Sequence, residues 1–356
     1  MIVIGKELMT SEAIVSQRQR WIDVLTVFSS VGVVFLHCNL VFWSRPAGIS
    51  GWLSNFTECF FYFCVPVFFM ISGYTLLDFR RRYGTGEFLR RRFKRAVLPF
   101  LFWSILAWLL FGCGGLKDLV LSVANTTIMQ VYWFFPQLFG CYVAMLVLSY
   151  VQEKRKLFML LISLLFLSNS VLLFFEKLCH LGVSAAWKWP LGPEYIMFVM
   201  LGYVLGKSGF GWRIRWLIYL LGLVGFGIHF WGTWRFSPVG GPINMLFKGY
   251  MNWPSILYSS AVFVAVKSVS WSRWYAFRPL AWMLDKLKDA SFSIYLLHGF
   301  LVYRAIPEFL PMFLGREYGS LVAYRLFAPF AIVAICVVAH YLLSCIPVVR
   351  HTLVGK

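Results

Sequence analysis

Charge is scarce in this chain. Only 13% of its 356 residues are Asp, Glu, Lys or Arg, and just 14 are acidic, where a soluble domain carries about 25% charged residues. No polar stretch is long enough to fold as a separate soluble domain. The eight cysteines form no CxxC pair and no other metal-ligand spacing, so they read as small buried hydrophobes and no metal site is expected. The first residues, MIVIGKELMTSEAIVSQRQR, lack a basic segment followed by a long apolar core. Residues 1–19 therefore read as a short cytoplasmic lead and not as a cleaved signal peptide.

What the chain has is apolar surface. It is 60% hydrophobic and 19% aromatic, arranged in blocks and not in periodic stripes, which points to an all-α polytopic membrane bundle. About ten transmembrane helices are expected, near 21–42, 53–77, 97–112, 133–151, 157–175, 193–206, 214–231, 251–267, 290–306 and 325–349. They make residues 20–356 one integral-membrane domain. The net charge of +19 does not point to nucleic acid, because the basic residues sit between the apolar blocks. Lys and Arg in alternate connections divide 24 to 9, and the positive-inside rule then places both termini in the cytoplasm.

The stretch RWIDVLTVFSSVGVVFLH, Arg20 to His37, carries an acid near one end and a histidine near the other. On a helix, Asp23 and His37 stand roughly 21 Å apart along the axis, with Asp23 on the inner side and His37 on the outer. Ionisable residues inside a membrane are functional candidates. His37 suits a general base for a hydroxyl substrate; the plainer alternative is a hydrogen bond to a neighbouring helix. Asp23 is equally suited to a structural pair with Arg20 or a basic loop.

Four further segments stand out. FFMISGYTL, 68–76, holds Ser72-Gly73, a close-packing device. The loop RRRYGTGEFLRRRFKRAVLPF, 80–100, places eight basic residues within sixteen. That suits a phosphate-binding patch and equally an attraction to anionic lipid head groups. YWFFPQLFG, 132–140, reads as an interfacial aromatic belt. SFSIYLLHGF, 291–300, brings Tyr295 and His298 to roughly one helix face, as a buried polar pair. Glu58 and Glu194 fall on the His37 side, where a carboxylate could orient an imidazole or bind a sugar hydroxyl. The loop 232–250, rich in Gly, Pro and aromatics, suits a cavity cap or a sugar site.

Together, IDVLTVFSSVGVVFLH (22–37), FFMISGY (68–74), FLRRRFKRAVLPF (88–100), YWFFPQL (132–138) and SIYLLH (293–298) resemble acyltransferase family three. These are bacterial integral-membrane acyltransferases of surface polysaccharides and related glycans. The resemblance runs from about Arg20 to the end. It implies a multi-pass protein of the bacterial cell membrane with no permanently bound cofactor. The donor it implies is acyl-CoA, usually acetyl-CoA, on the cytoplasmic side. The acceptor it implies is a hydroxyl of a surface polysaccharide or lipid-linked glycan outside. By position, His37 looks like the family's essential histidine and Asp23 like the acid opening the same motif. Arg90 and Arg92 look like its basic cytoplasmic motif; with Arg91 and Arg95 they are expected to meet the CoA phosphates. Glu58, Glu194, Tyr295 and His298 are expected as substrate-binding or supporting residues. One position departs from the pattern: Thr26 stands where the family commonly has Arg or Lys. Either Arg20 or the 80–95 loop supplies that cation, or the donor site differs. Two other readings stay open, a non-enzymatic exporter of a lipid-linked glycan and a sensor that has lost catalysis. The oligomeric state is open too, a homo-oligomer included.

Overall fold

A computed structural model describes residues 2–112, 114–180, 182, 184, 193–315 and 317–354, with side chains described from Arg20 to Leu353. Cys113, Lys188, Arg316 and Lys356, all counted above, lie outside the described residues. The described residues are helical, with no strands.

The helices in order are α1 Ile2–Cys38, α2 Gly48–Phe61, α3 Cys64–Leu76, α4 Thr85–Arg92, α5 Leu98–Phe111, α6 Leu116–Ala124 and α7 Phe134–Val151. They continue with α8 Arg155–Phe166, α9 Leu172–Cys179, α10 Ile196–Lys207, α11 Trp212–Phe236, α12 Trp253–Ser268, α13 Ser272–Ala276 and α14 Arg278–Phe300. The series ends with α15 Ile306–Phe309, α16 Pro311–Leu314, α17 Val322–Leu343 and α18 Pro347–Val354. Among the described residues, seven helical stretches are long and apolar enough to cross a membrane: Arg20–Cys38, Gly48–Arg81, Thr85–Phe111, Gln130–Val151, Arg155–Cys179, Trp212–Phe236 and Val322–Leu343. The other three expected segments coincide with α10, α12 and α14. α10 and α12 have 12 and 16 residues, short for a bilayer, and the first half of α14 carries Asp285, Lys286, Lys288 and Asp289. Apolar side chains such as Leu109, Val147, Leu223 and Phe327 point outward, as a lipid-facing surface requires.

α1 is the central post. It packs against α2, α3, α12, α14 and α17. Two local departures from regular helix shape the bundle around it. The α2–α3 run breaks at Tyr62 and Phe63, because Pro66 has no N–H to give the Tyr62 carbonyl. The second departure is a widened π turn, found at Phe93–Val97 between α4 and α5, at Leu167–Val171 between α8 and α9, and at Leu301–Ala305 after α14. Such single-turn bulges shift side-chain register by one residue and recur at functional sites.

Ser72-Gly73 does the packing work expected of it. A Cβ at Gly73 would overlap the Val199 carbonyl of α10, and one at Gly202 would overlap the Met70 carbonyl of α3. The two helices cross with their backbones in contact. The cysteines follow expectation in part: Cys38, Cys59, Cys64, Cys141 and Cys336 are buried, while Cys179 and Cys345 are exposed.

Candidate active site

Two cavities lie end to end along one face of α1. The one nearer Asp23 has a volume of ≈ 270 Å³. α1 lines it with Thr26 and Ser30, α3 with Phe68 and Ser72, α7 with Phe134 and Tyr142, and α14 with Ser291 and Tyr295. Arg92 and Arg95, which flank the start of the first π turn, complete the wall. The second cavity, ≈ 420 Å³, is lined by Val33 and His37 of α1, Glu58, Tyr62 and Val65, and Trp133, Tyr250 and Tyr303. Thr26, Ser30, Val33 and His37 follow one another at three- and four-residue steps, so they form one stripe down α1. Ser30 and Val33 differ by only about 4.5 Å in rise, so little more than one layer of side chains separates the cavities.

His37 is held by Tyr303. The His37 Nδ1 and Tyr303 Oη lie 2.7 Å apart in a hydrogen bond, and the π turn at Leu301–Ala305 carries Tyr303. The His298 ring lies 5.1 Å from that of His37 between centroids. His298 Nδ1–H donates to the Ile294 carbonyl at 2.9 Å. Tyr295 stands 5.9 Å from His298, ring to ring, and its hydroxyl donates to the Val131 carbonyl at 2.5 Å.

Behind the His37 cavity is a buried ion pair. Lys248 Nζ meets Glu58 Oε1 at 2.9 Å, with side chains 0% and 5% exposed. The ammonium also sits 3.3 Å from the centroid of the Tyr62 ring. Asn39 Nδ2 donates to Glu58 Oε2 at 3.4 Å. Burial pushes Lys248 below the ordinary lysine range, and the Glu58 carboxylate pulls it back up. The loop expected to cap a cavity does so with Tyr250. Its ring stacks on Tyr62 at 4.2 Å and lies nearly parallel to Trp133 at 6.0 Å. The YWFFPQ segment is not an interfacial belt: Tyr132 and Phe135 are fully buried and Trp133 lines the cavity.

The structure sorts the other expected residues. Arg92 and Arg95 reach the Asp23-end cavity, and Arg92 Nε is buried with no partner among the described residues. Arg90 and Arg91 instead pair with Glu87 at 2.8 and 2.7 Å on the protein surface. Asp23 lines neither cavity; the charges acting on it are Lys288, Asp285 and Asp289 of α14. Arg20 lies over the Tyr275 ring, 5.0 Å from its centroid. Glu194 is exposed just before α10 and lines neither cavity. Among the described residues no cluster of His, Cys, Asp or Glu is arranged to hold a metal.

A family model described as an acyltransferase domain matches residues 19–344. The chain belongs to acyltransferase family three. It is similar to the nodulation protein NolL of Mesorhizobium japonicum, with 23% identity over 314 residues, 81% of this chain and 76% of that protein. No solved structure matches the chain. Family membership favours the enzyme over the exporter and sensor readings.

In this family-three acyltransferase, sequence patterns missed Tyr303, Lys248, Tyr62 and Tyr250. Lys248 passed as one loop charge among nine on its side. Tyr303 follows His298 by five residues, and only the π turn turns it toward His37. Thr26 lines the Asp23-end cavity, and the cations beside it there are Arg92 and Arg95, not Arg20.

Proposed function

We propose that the protein moves an acyl group, acetyl in the simplest case, from acyl-CoA to a hydroxyl of a surface glycan or its lipid-linked precursor. In this reading ten helices cross a bacterial cell membrane with both termini inside, and the Asp23 end faces the cytoplasm. The observation that carries it is the pair of cavities on one face of α1, one edged by Arg92 and Arg95, the other by His37. Arginine forks match phosphate oxygens, so the CoA phosphates belong at the cytoplasmic mouth. The extended arm then runs past Thr26 and Ser30 and brings the thioester to the level of Val33. Asp23 assists from the donor end, where its charge faces that of Lys288.

The acceptor sits in the other cavity. The aromatic faces of Tyr62, Tyr250 and Trp133 suit the flat apolar faces of sugar rings, and Glu58 accepts from hydroxyls. His37 acts in the tautomer whose Nδ1–H donates to Tyr303, which leaves Nε2 with a lone pair. Nε2 takes the acceptor's proton as its oxygen attacks the thioester carbonyl. The new C–O bond forms, the C–S bond breaks with its electron pair left on sulfur, and the proton taken by His37 passes on to that sulfur, so CoA leaves as the thiol.

The test is mass spectrometry of surface glycans from a deletion strain. Complementation with the wild-type chain restores an acyl mass increment, and complementation with His37→Ala does not. Full acylation in the His37→Ala strain would remove His37 from catalysis.

A further inference from the structure

The acyl carbon must cross from one cavity to the other, and three of the elements around the site have a residue pair that brackets that level. On α1 the pair is Ser30 and Val33; near α3 it is Phe68 and Val65. On α14 and the π turn that follows, Tyr295 lines the donor-end cavity and Tyr303 the acceptor-end cavity. The polar side chain between those two is His298. It is 0% exposed, and its Nε2 has no hydrogen-bond partner among the described residues. With Nδ1–H given to the Ile294 carbonyl, the tautomer is fixed and Nε2 carries a free lone pair. A buried, unpartnered acceptor of this kind is costly unless something occupies it.

Resting on the acyl transfer proposed above, we propose that His298 completes the proton path of the reaction by handing a proton to the departing CoA sulfur. The hydroxyl proton is released at His37, on the acceptor side. The thiolate is released on the donor side, against the apolar walls of Phe68 and Phe134, where an unpaired charge is strongly disfavoured. The His298 ring, which lines neither cavity, lies 5.1 Å from His37 of the acceptor-end cavity and 5.9 Å from Tyr295 of the donor-end cavity. As the C–O bond forms, His37 Nε2 gains the proton. As the C–S bond breaks, the electron pair stays on sulfur. The proton crosses to His298 Nε2 and then to the sulfur, which leaves as a neutral thiol. Both imidazoles end neutral, and no oxidant or further reactant is consumed.

The experiment uses the purified full chain in detergent, with acetyl-CoA as donor and octyl glucoside or water as acceptor. Free-thiol release is followed for the wild type, His298→Gln and His298→Asn. Each is also assayed with an acetyl thioester of a thiol more acidic than CoA, whose thiolate leaves without a proton. His298→Gln is expected to lower kcat with acetyl-CoA about 100-fold, the low end for a lost general acid, with KM within threefold of wild type. With the acidic-thiol donor the deficit is expected to shrink to less than tenfold. An equal deficit with both donors, or no deficit with either, overturns the proposal. If the wild type releases no thiol from acetyl-CoA, the acyltransfer reading itself fails, which is a separate result. A thermal unfolding midpoint near wild type for either variant shows that a rate loss is not misfolding.

Discussion

Replacing Lys248 by Met should be among the most damaging single changes outside the reacting groups. Lys248 is the cation that meets Glu58, at 2.9 Å, and both side chains are almost wholly buried. Without it, Glu58 keeps only the long 3.4 Å hydrogen bond from Asn39. That amide is already engaged with the Ser54 carbonyl at 2.9 Å, so it has little left to give. Breaking a buried pair from one side costs about 3–5 kcal/mol, because a charge is left unpaired. The ammonium also loses its place over the Tyr62 ring, worth up to about 2 kcal/mol when desolvated. A loss of about 4 kcal/mol is therefore expected, read as the unfolding free energy in mixed detergent micelles. The double variant Glu58→Gln/Lys248→Met removes both charges and should recover at least half of that loss. If Lys248→Met costs less than about 1 kcal/mol, or the double variant is as unstable as the single, the pair is not a desolvated ion pair and the reasoning fails.

Other outcomes follow from the same geometry. Arg92→Ala should raise KM for acetyl-CoA about tenfold, the loss of one charge-assisted contact to phosphate, while Arg90→Ala should leave it within twofold. Steady-state kinetics at several donor concentrations separates the two. Tyr303→Phe removes the partner that fixes the His37 ring; kcat should fall about tenfold with KM unchanged, as expected for an orienting residue. Gly73→Val places a branched side chain against the Val199 carbonyl and should cost about 3 kcal/mol or more through overpacking. Thermal unfolding in detergent checks it, and a wild-type midpoint would mean α3 and α10 do not cross there.

The membrane class was readable because bilayer burial writes itself as long apolar blocks, and all ten expected segments fall on helices. His37, Glu58, Tyr295 and His298 were readable as candidates because polar groups in such blocks are expensive. What could not be read was the register. A π turn adds one residue to a turn without any composition signal, so the placement of Tyr303 beside His37 was invisible. The distinction between Arg92 and Arg90 depended on Glu87, which draws Arg90 and Arg91 to the surface. The aromatic segment at 132–138 looked like a belt because Trp and Tyr are common at both bilayer interfaces and inside cavities. Lys248 and Glu58 are 190 residues apart in the chain, and no local pattern links them.

In the proposed reaction the acyl group is handed across the membrane from a basic mouth to His37. This handover is tested most directly by labelling sealed vesicles of a producing strain with radiolabelled acetyl-CoA, which does not cross the bilayer. Inside-out vesicles, which present the cytoplasmic face to the donor, should label their glycan acceptor with the wild-type chain and not with His37→Ala. Right-side-out vesicles should stay unlabelled with either. Equal labelling of both vesicle types, or wild-type labelling by His37→Ala, would rule out this handover.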